Sequence, residues 1–333
     1  MMKFAVVILN WNGKTLLEKF LPSVMAYSEE AQVYVADNAS TDDSIAFLER
    51  EYPQIRIIRN QDNYGYAKGY NEALKSVNEP YWVLLNSDVE VTKNWLKSPL
   101  ELFETDTQIA AIQPKLLDYK NKSFFEYAGA AGGFIDKYGF PFCRGRIFST
   151  LEKDNGQYDQ IEDIFWASGA CLFIRKSIFE QLGGFDEDFF AHQEEIDLCW
   201  RIYNHDFKIK YTPYSVVYHI GGATLKEGSP QKTFLNFRNS LFSLLKNHPK
   251  KGLFRVLFIR LCLDGIAGVF FMLQGKPKHV WAIIKSHFAM YANLKKTLAK
   301  RKDNHKDDYF YTKSIVFDYF IRSQKVFMMQ KKK

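Results

Sequence analysis

Three motifs that would assign a chain to a common class of protein are missing from this sequence. The four cysteines stand far apart without a Cys-x-x-Cys pair, so neither a disulfide framework nor a zinc knuckle is indicated, and a reducing cytosol fits. NWNGKT follows the first apolar run in place of a Gly-x-Gly-x-x-Gly turn, which disfavours a dinucleotide-dependent oxidoreductase. That run, FAVVIL, is too short for the hydrophobic region of a signal peptide and favours a buried strand.

Charge is distributed unevenly along the 333 residues. The net charge is +7, but residues 246–333 contain 20 Lys and Arg against 5 Asp, a net charge of +15, which leaves −8 for residues 1–245. The basic part contains no recognition-helix motif and no ribonucleoprotein aromatic motif, so nucleic acid is not the expected partner. We therefore predict two regions that meet different partners, residues 1–245 and residues 246–333.

Short apolar runs alternate with helical patterns through the first third of the chain. KFAVVIL, AQVYVAD, IRIIRN and PYWVLLNSD read as strands, and segments such as KTLLEKFLPSVMAY between them read as helices. Continuous apolar strands that alternate with helices are typical of a mostly parallel sheet covered on both faces. The sequence therefore predicts an α/β fold with its ligand at the carboxyl ends of the strands.

Polar residues follow each of these predicted strands. In strand order they are Asn10 and Asn12, Asp37 and Asn38, Asn60 and Asn63, and Asn86 and Asp88. Asp37 by itself could be a turn or helix-capping acid. Asp88 repeats the same placement after YWVLL, where a carboxylate could bridge Mg²⁺ or Mn²⁺ to a diphosphate.

The stretch FFAHQEEIDLCWR holds three carboxylates, Glu194, Glu195 and Asp197, within four positions. Residues 194–204 read as a helix with an apolar face, and acids in the first turn of a helix are favoured by its dipole. An acidic N-terminus that only stabilises this helix is one interpretation, and acid–base chemistry is the other. Arg201 lies four residues after Asp197 and can pair with these acids, so part of the cluster is predicted to be scaffold.

From Gln231 onward the pattern becomes helical. GLFRVLFIRLCLDGIAGVFFMLQG is apolar enough to suggest a membrane span, but Arg255, Arg260 and Asp264 interrupt it, and charges at that depth are costly. We predict a helix that lies on an anionic bilayer, with packing in a soluble helical appendage as the alternative.

Six motifs, in order, resemble those of family 2 glycosyltransferases of the rhamnosyltransferase-like branch. They are VVILNWNG, VADNASTDDS, NYGYAKGYNEAL, LLNSDVEV, WASGACLFIRK and GGFDEDFFAHQEEIDLCWR. The resemblance covers approximately residues 3–240. It implies a GT-A fold, a nucleotide-sugar donor, a divalent cation (Mg²⁺ or Mn²⁺) and an inverting transfer to an acceptor hydroxyl.

The resemblance also implies a place for the nucleotide. Asp37 would hydrogen-bond the base, and the backbone at Leu9, Asn10 and Trp11 would line the same pocket. Further positions that would lie against the donor are Asn63, Gly65, Asn71 and Asn86.

For the metal, Asp88 stands where the family has the last acid of its Asp-x-Asp motif. Here the motif reads Asn86-Ser87-Asp88, so only that last acid is present. His219 in VVYHIGG resembles the family's late histidine, which can complete the metal shell, and an ordinary strand-end histidine is the alternative.

For catalysis, the family usually has Glu-Asp where this chain has Glu194-Glu195, and the Asp removes the acceptor proton. Glu195 would therefore be the base, one methylene longer than usual. Glu194 would bind or orient the acceptor, and Asp197 would be a helper or a rival base.

The function predicted on these grounds is that of an inverting, metal-dependent glycosyltransferase of cell-surface polysaccharide or glycolipid assembly. Its donor would be dTDP-rhamnose, with UDP- and GDP-sugars as alternatives, and its acceptor a glycan or polyprenyl-linked glycan. It would act in the cytoplasm, in peripheral contact with the inner face of the cell membrane. A catalytically silent nucleotide-sugar-binding protein on the same fold is the alternative, because both the metal motif and the acid pair depart from the family pattern.

Overall fold

The computed structural model describes residues 2–221 and 228–329. Within these residues the strands follow one another along the chain as β1 (Phe4–Asn10), β2 (Ala31–Asp37), β3 (Arg56–Arg59), β4 (Tyr81–Asn86), β5 (Val89–Val91), β6 (Ile109–Asp118), β7 (Gly133–Ile135), β8 (Pro141–Cys143), β9 (Arg146–Ile147), β10 (Thr150–Leu151), β11 (Glu162–Asp163), β12 (Cys171–Arg175) and β13 (Lys208–His219).

The α-helices are α1 (Lys14–Tyr27), α2 (Ser44–Glu51), α3 (Gly65–Leu74), α4 (Lys97–Thr105), α5 (Lys176–Gln181), α6 (Glu194–Asn204), α7 (Pro230–Asn247), α8 (Leu253–Leu273), α9 (Pro277–Ala292), α10 (Leu294–Ala299) and α11 (Ile315–Phe320). Two short 3₁₀ turns cover Glu187–Phe189 and Phe327–Met329.

The central sheet of the described residues has nine strands and mixed direction. Its order is β11-β13-β6-β12-β4-β1-β2-β3, and β5 pairs with β13. The half made of β4, β1, β2 and β3 is parallel, as the alternation of strands and helices predicts. The other half is mixed because β12 runs antiparallel between β4 and β6, whereas β13 lies parallel to β6.

Both faces of the sheet are buried, for a reason that β1 makes clear. Successive side chains of a strand point to opposite faces. Phe4, Val6 and Ile8 join one core cluster with residues of α1, while Ala5 and Val7 join another with residues of α3. The strand must therefore be apolar at every position, which explains the uninterrupted run FAVVIL.

The glycine-rich segment between β6 and β12 forms a second, four-stranded sheet of order β10-β9-β8-β7. It is antiparallel throughout and lies beside the carboxyl end of β6, where Leu117 bridges Phe125. This segment supplies one residue of the candidate site described below.

The basic region packs directly on the rest of the chain. The predicted division at residue 245 falls two residues before the end of α7, and the chain after α10 returns to the small sheet. There the backbone N–H of Tyr311 donates to the carbonyl of Ile135 in β7 at 2.9 Å. The ring of Tyr309 packs on Trp200 of α6, with 4.9 Å between the ring centroids. The two regions thus share a core, and their separate catalytic and membrane roles stay predictions.

Candidate active site

The carboxyl ends of β1 and β2 hold Asn10 and Asp37 side by side, because these two residues are register partners. The Asn10 amide donates to the Asp37 carboxylate at 2.9 Å, and the amide N–H of Ser40 donates to the other carboxylate oxygen at 2.9 Å. Asp37 is buried. The Oδ1 atom of Asn10 is buried without a hydrogen-bond partner among the described residues.

The loop after β1 offers an exposed aromatic ring next to this pair. Trp11 is 49% exposed although it directly follows a strand that is buried at all but one position. Its neighbour Asn12 fixes the loop, since the Asn12 side-chain oxygen accepts from the amide of Thr41 at 2.7 Å. A tethered, exposed indole is a surface on which a planar base can stack.

The segment predicted to face the donor after β3 divides into two parts. The amide of Asn38 donates to the carbonyl of Gly65 at 2.9 Å, and Asn63 accepts from the N–H of Gly65 at 3.1 Å, so these residues lie near the Asp37 end of the sheet. Asn71 instead binds the backbone of Phe185 through both side-chain atoms, each at 2.9 Å. Asn71 therefore joins α3 to the backbone at Phe185, which is a structural contact and not a contact that faces the donor.

Asp88 and His219 are brought together by strand pairing. His219 at the end of β13 is the register partner of Val89 in β5, directly after Asp88. The Nε2 atom of His219 lies 3.0 Å from Oδ1 of Asp88, and both side chains are buried. The structure thus places the two predicted metal residues in contact, and their role as metal ligands stays a prediction.

A third group, Glu126, reaches the same histidine from the other side. Its Oε1 lies 3.2 Å from Nδ1 of His219, at ion-pair distance though without hydrogen-bond alignment, and Glu126 is also buried. Burial alone would lower the pKa of His219, but the carboxylates of Glu126 and Asp88 outweigh it and raise the pKa to about 10. The imidazole is thus held as a cation between two acids.

This arrangement fits a divalent cation that is completed by its substrate. No group of three or more His, Cys, Asp or Glu side chains placed to hold an ion occurs in residues 2–221 and 228–329. Mg²⁺ and Mn²⁺ sites that handle phosphates need only one or two protein ligands. Asp88 and Nε2 of His219 would be these ligands once the metal has displaced the Nε2 proton, and Glu126 would then stand behind the ring at Nδ1.

Glu194 and Glu195 form the first turn of α6 and lie beside the segment Ser168–Ala170. The hydroxyl of Tyr66 donates to the carbonyl of Gly169 at 2.7 Å, and a Cβ added to Gly169 would lie 3.8 Å from Cδ of Glu195. The backbone N–H of Asn86 donates to the backbone carbonyl of Ala170 at 3.0 Å. Through these contacts the acids of α6 adjoin the end of β4, close in the chain to Asp88.

The two glutamates have perturbed acidities. Burial raises the pKa of Glu195 to about 7. Burial and then the charge of Glu195 raise the pKa of Glu194 well above its usual range. The Oε2 atom of each acid is buried and has no partner in the described part of the chain. The shifts favour the neutral form of Glu194 and leave Glu195 with a pKa in the range suited to a general base at neutral pH.

Asp197 is placed differently from the two glutamates. It is fully buried and contacts Arg201 at 3.0 Å, Lys246 at 2.9 Å and the Asn247 amide at 2.8 Å. Burial would raise the pKa of Asp197, but the charges of Lys246 and Arg201 outweigh it and hold the pKa below its usual range. These contacts favour the scaffold role that the spacing to Arg201 indicates over a helper or rival base.

The structure therefore collects the candidate residues along one edge of the sheet. Leu9, Asn10, Asp37 and Asn86 are at strand ends, Leu9 being the register partner of Asn86. Two groups that sequence reasoning missed are Glu126 and Tyr66. Glu126 directly precedes the glycine-rich segment YAGAAGGFIDKYGFP, and an acid next to such a segment was the one signal available.

A mixed sheet with acids at its carboxyl edge and helices on both faces is the architecture of GT-A glycosyltransferases. The family model described as Glycosyl transferase family 2 matches residues 5–183, more than half of the chain. The chain belongs to this family. The predictions of a glycosyltransferase, of its family and of its fold class are thereby confirmed.

Two relatives carry the name rhamnosyltransferase. The N-acetylglucosaminyl-diphospho-decaprenol L-rhamnosyltransferase of Mycobacterium tuberculosis is 28% identical over 231 residues, 64% of this chain and 75% of that protein. Rhamnosyltransferase WbbL of Escherichia coli K12 is 24% identical over 217 residues, 62% of this chain and 80% of that protein. The resemblance to the rhamnosyltransferase-like branch is confirmed by these names at modest identity.

Two solved structures share the fold. S. aureus TarS 1-349 in complex with UDP-GlcNAc superposes with a TM-score of 0.55 at 15% identity, over 98% of this chain and 93% of that one. GalNAc-T7 with UDP, GalNAc and Mn²⁺ gives a TM-score of 0.58 at 16% identity, over 75% of this chain and about half (49%) of that one. At such identities the likeness concerns the fold alone.

Proposed function

We propose that the protein is an inverting glycosyltransferase that moves rhamnose from dTDP-rhamnose to a glycan or polyprenyl-linked acceptor in cell-surface polysaccharide synthesis. The observation that carries the proposal is the acid pair Glu194 and Glu195, with two buried, unpartnered oxygens, beside Gly169. Acids in this state are suited to take and hold a proton. The names of the two rhamnosyltransferase relatives favour rhamnose over other sugars.

The reaction follows from these positions as a single displacement. Glu195 takes the proton of the acceptor hydroxyl while that oxygen forms a bond to the anomeric carbon of the sugar. The bond from the anomeric carbon to the diphosphate breaks in the same step, so the configuration inverts. Glu194, whose raised pKa favours the protonated form, donates a hydrogen bond that orients the acceptor.

The donor would lie along the ends of β1, β2 and β4. Asp37, held by the Asn10 amide, accepts a hydrogen bond from the base, and Trp11 stacks on the base. The diphosphate then lies towards Asp88 and His219. A divalent cation bound there would neutralise the charge that develops on the leaving diphosphate.

Nucleotide release by the purified full-length protein tests this proposal. We expect release of dTDP from dTDP-rhamnose that depends on Mn²⁺ or Mg²⁺. The rate of release should fall about 10²–10⁴-fold in Glu195→Gln, because a general base usually accelerates a reaction by that factor. Glu180→Gln on α5 is the matched control, since its salt bridge is on the surface. UDP- and GDP-sugars are measured beside dTDP-rhamnose to identify the donor. If dTDP binds in calorimetry but no donor turns over with added glycan acceptors, the protein is the silent binding protein instead.

The same proposal includes peripheral contact with an anionic membrane through α8 and α9. α8 is the single helix of the described residues that is long and apolar enough to cross a membrane, with a mean hydropathy of 2.1. Two of its three charged residues face inward: Arg260 and Asp264 are buried and form an ion pair at 2.9 Å, whereas Arg255 is exposed near the start of the helix. Arg260 also donates to the carbonyls of Tyr138 and Gly139, each at 3.3 Å, which ties α8 to the small sheet.

The outer face of these two helices is apolar instead. Large exposed side chains on it are Phe254, Phe258, Ile266, Val269, Phe270, Met272 and Leu273 of α8 and Trp281, Ile284, Phe288 and Tyr291 of α9. Exposed basic residues border this face at Arg255, Lys276, Lys278, Lys285 and Lys295. A helix pair with an exposed apolar face that basic residues border is suited to lie in the surface of an anionic bilayer.

Vesicle flotation tests the membrane contact. Because burial of a phenylalanine side chain is worth about 1.5–3 kcal/mol, the double variant Phe258→Ser/Phe270→Ser should lower partition into vesicles with anionic lipid by about 10²-fold or more. Tyr214→Ser, an exposed aromatic on β13, is the control and should float like the wild type. Equal flotation of the double variant would contradict this orientation. Truncation after Gly252 is a less specific test, because it would also remove the hydrogen bonds by which Arg260 holds the small sheet.

A further inference from the structure

The loop that leads into the acid pair has an unusual backbone. Phe190, His192 and Gln193 have φ angles of 63°, 70° and 72°, the left-handed region that side chains other than glycine rarely adopt. Gln193 is followed directly by Glu194 and Glu195. Such a backbone persists only where its surroundings hold it, and strained residues gather at functional sites.

Asn239 of α7 is the group that holds this loop. Its side chain is fully buried, and its Nδ2 lies within hydrogen-bond distance of three carbonyl oxygens: those of Phe189 at 3.0 Å, Ala191 at 2.9 Å and His192 at 2.7 Å. The neighbouring Arg238 donates to the carbonyl of Phe189 at 3.0 Å and to that of Asp188 at 3.1 Å. Successive carbonyls of the loop thus converge on one turn of α7.

The opposite side of the loop rests on α3. The amide N–H of Tyr66 donates to the carbonyl of Phe190 at 2.8 Å, and a Cβ on Gly65 would approach that carbonyl oxygen to 2.7 Å. Gly65 itself has φ of +70°. Only glycine allows α3 to begin this close to the loop, so the loop is enclosed between α3 and α7.

An ion network fixes both ends of the same segment. Lys246 of α7 lies 2.6 Å from Asp186, before the loop, and 2.9 Å from Asp197, after it. Lys300, after α10, contacts both Asp186 and Asp188. All these lysines belong to the basic region, so part of its charge serves to hold residues 186–197.

We propose that Asn239 is a positioning residue that sets the place of the Glu195 carboxylate by clamping the loop Phe189–Gln193 onto α7. The proposal rests on the role of Glu195 as base. It makes α7 part of the catalytic apparatus and couples the membrane-facing helices to the site, because α7 packs against α8 and α9 through Leu241, Phe242 and Met290. Loosening the clamp leaves the nucleotide site on β1 and β2 unchanged.

The test compares the full-length wild type with Asn239→Leu, which keeps the side-chain size but leaves the carbonyls without their donor. Asn293→Leu is the matched control, since the Asn293 amide donates only within the basic region, to Ala289 at 2.9 Å. Hydrogen–deuterium exchange should show faster exchange confined to residues 186–197 in Asn239→Leu. The kcat for dTDP release should fall about 10²-fold, as for a base misplaced by about 1 Å. The KM for dTDP-rhamnose and the Kd for dTDP should stay within about twofold.

Two results would overturn the clamp. The first is unchanged exchange and kcat in Asn239→Leu, and the second is faster exchange over the whole chain with equal losses of kcat and dTDP binding. If Asn239→Leu does not fold, Arg238→Gln is tested instead, since Arg238 is partly exposed and also donates to the loop carbonyls. The proposal then requires faster exchange in residues 186–197 and a lower kcat, both by smaller factors, with dTDP binding unchanged. A wild type that turns over no donor would refute the proposed function, while hydrogen exchange would still decide whether Asn239 holds the loop.

Discussion

The ionisation of Glu195 allows the most discriminating prediction. Burial raises the pKa of this carboxyl from 4.5 to about 7, and a base acts only in its ionised form. The kcat/KM should therefore rise with pH through about 7 and level off above it. At pH 6 about one-tenth of the carboxylate is ionised, whereas an unshifted glutamate would be about 97% ionised there.

The assay is the initial rate of dTDP release at low donor concentration from pH 5 to 9, at constant ionic strength. A flat profile between pH 5.5 and 9, or a fall only below pH 5, would refute the buried-base reasoning. Glu180→Gln should follow the wild-type curve.

The same profile separates the two glutamates. Burial and then the charge of Glu195 raise the pKa of Glu194 well above its usual range, which favours its neutral form. Glu194→Gln mimics the neutral acid and should keep the rise of kcat/KM near pH 7. Glu195→Gln should lose this rise. The reverse pattern would make Glu194 the base.

Three further predictions concern the metal residues and the buried ion network. Asp88→Ala should abolish the Mn²⁺-dependent part of dTDP binding in calorimetry, and unchanged metal-dependent binding would remove it as a ligand. Glu126→Gln, which removes the charge behind His219, should weaken Mn²⁺ binding in the same titration by about 10–100-fold; an unchanged affinity would show that Glu126 does not orient the ring. Lys246→Met leaves the buried Asp197 without one of its cations and should lower the free energy of unfolding by about 3–5 kcal/mol, measured by urea denaturation. An unaltered urea midpoint would show that Lys246 is dispensable for folding.

Local patterns in the sequence were enough to predict much of the fold. The helix expected at 194–204 spans Glu194–Asn204, and the strand expected at KFAVVIL spans Phe4–Asn10. These predictions succeed because periodicity and burial are properties of a short segment. The pairing of Asp197 with Arg201 was also within reach, since both lie on one helix face.

For α8 the sequence showed charges inside an apolar run, but not which way they point. The structure turns Arg260 and Asp264 towards the protein, and this leaves the apolar face outward. The orientation depends on partners such as the carbonyl of Gly139, which lies 121 positions away in the chain. Helical spacing alone contains no such information.

The sequence by itself therefore determined the parallel half of the sheet, the acids that follow its strands and the membership of the family. Tertiary structure alone decided that Glu126 stands behind His219 and that Asn239 holds the loop before Glu195. The physical reason is the range of the interactions. Propensity and periodicity act within a few residues, whereas a carboxylate that faces a histidine or an amide that binds three carbonyls acts across the folded chain.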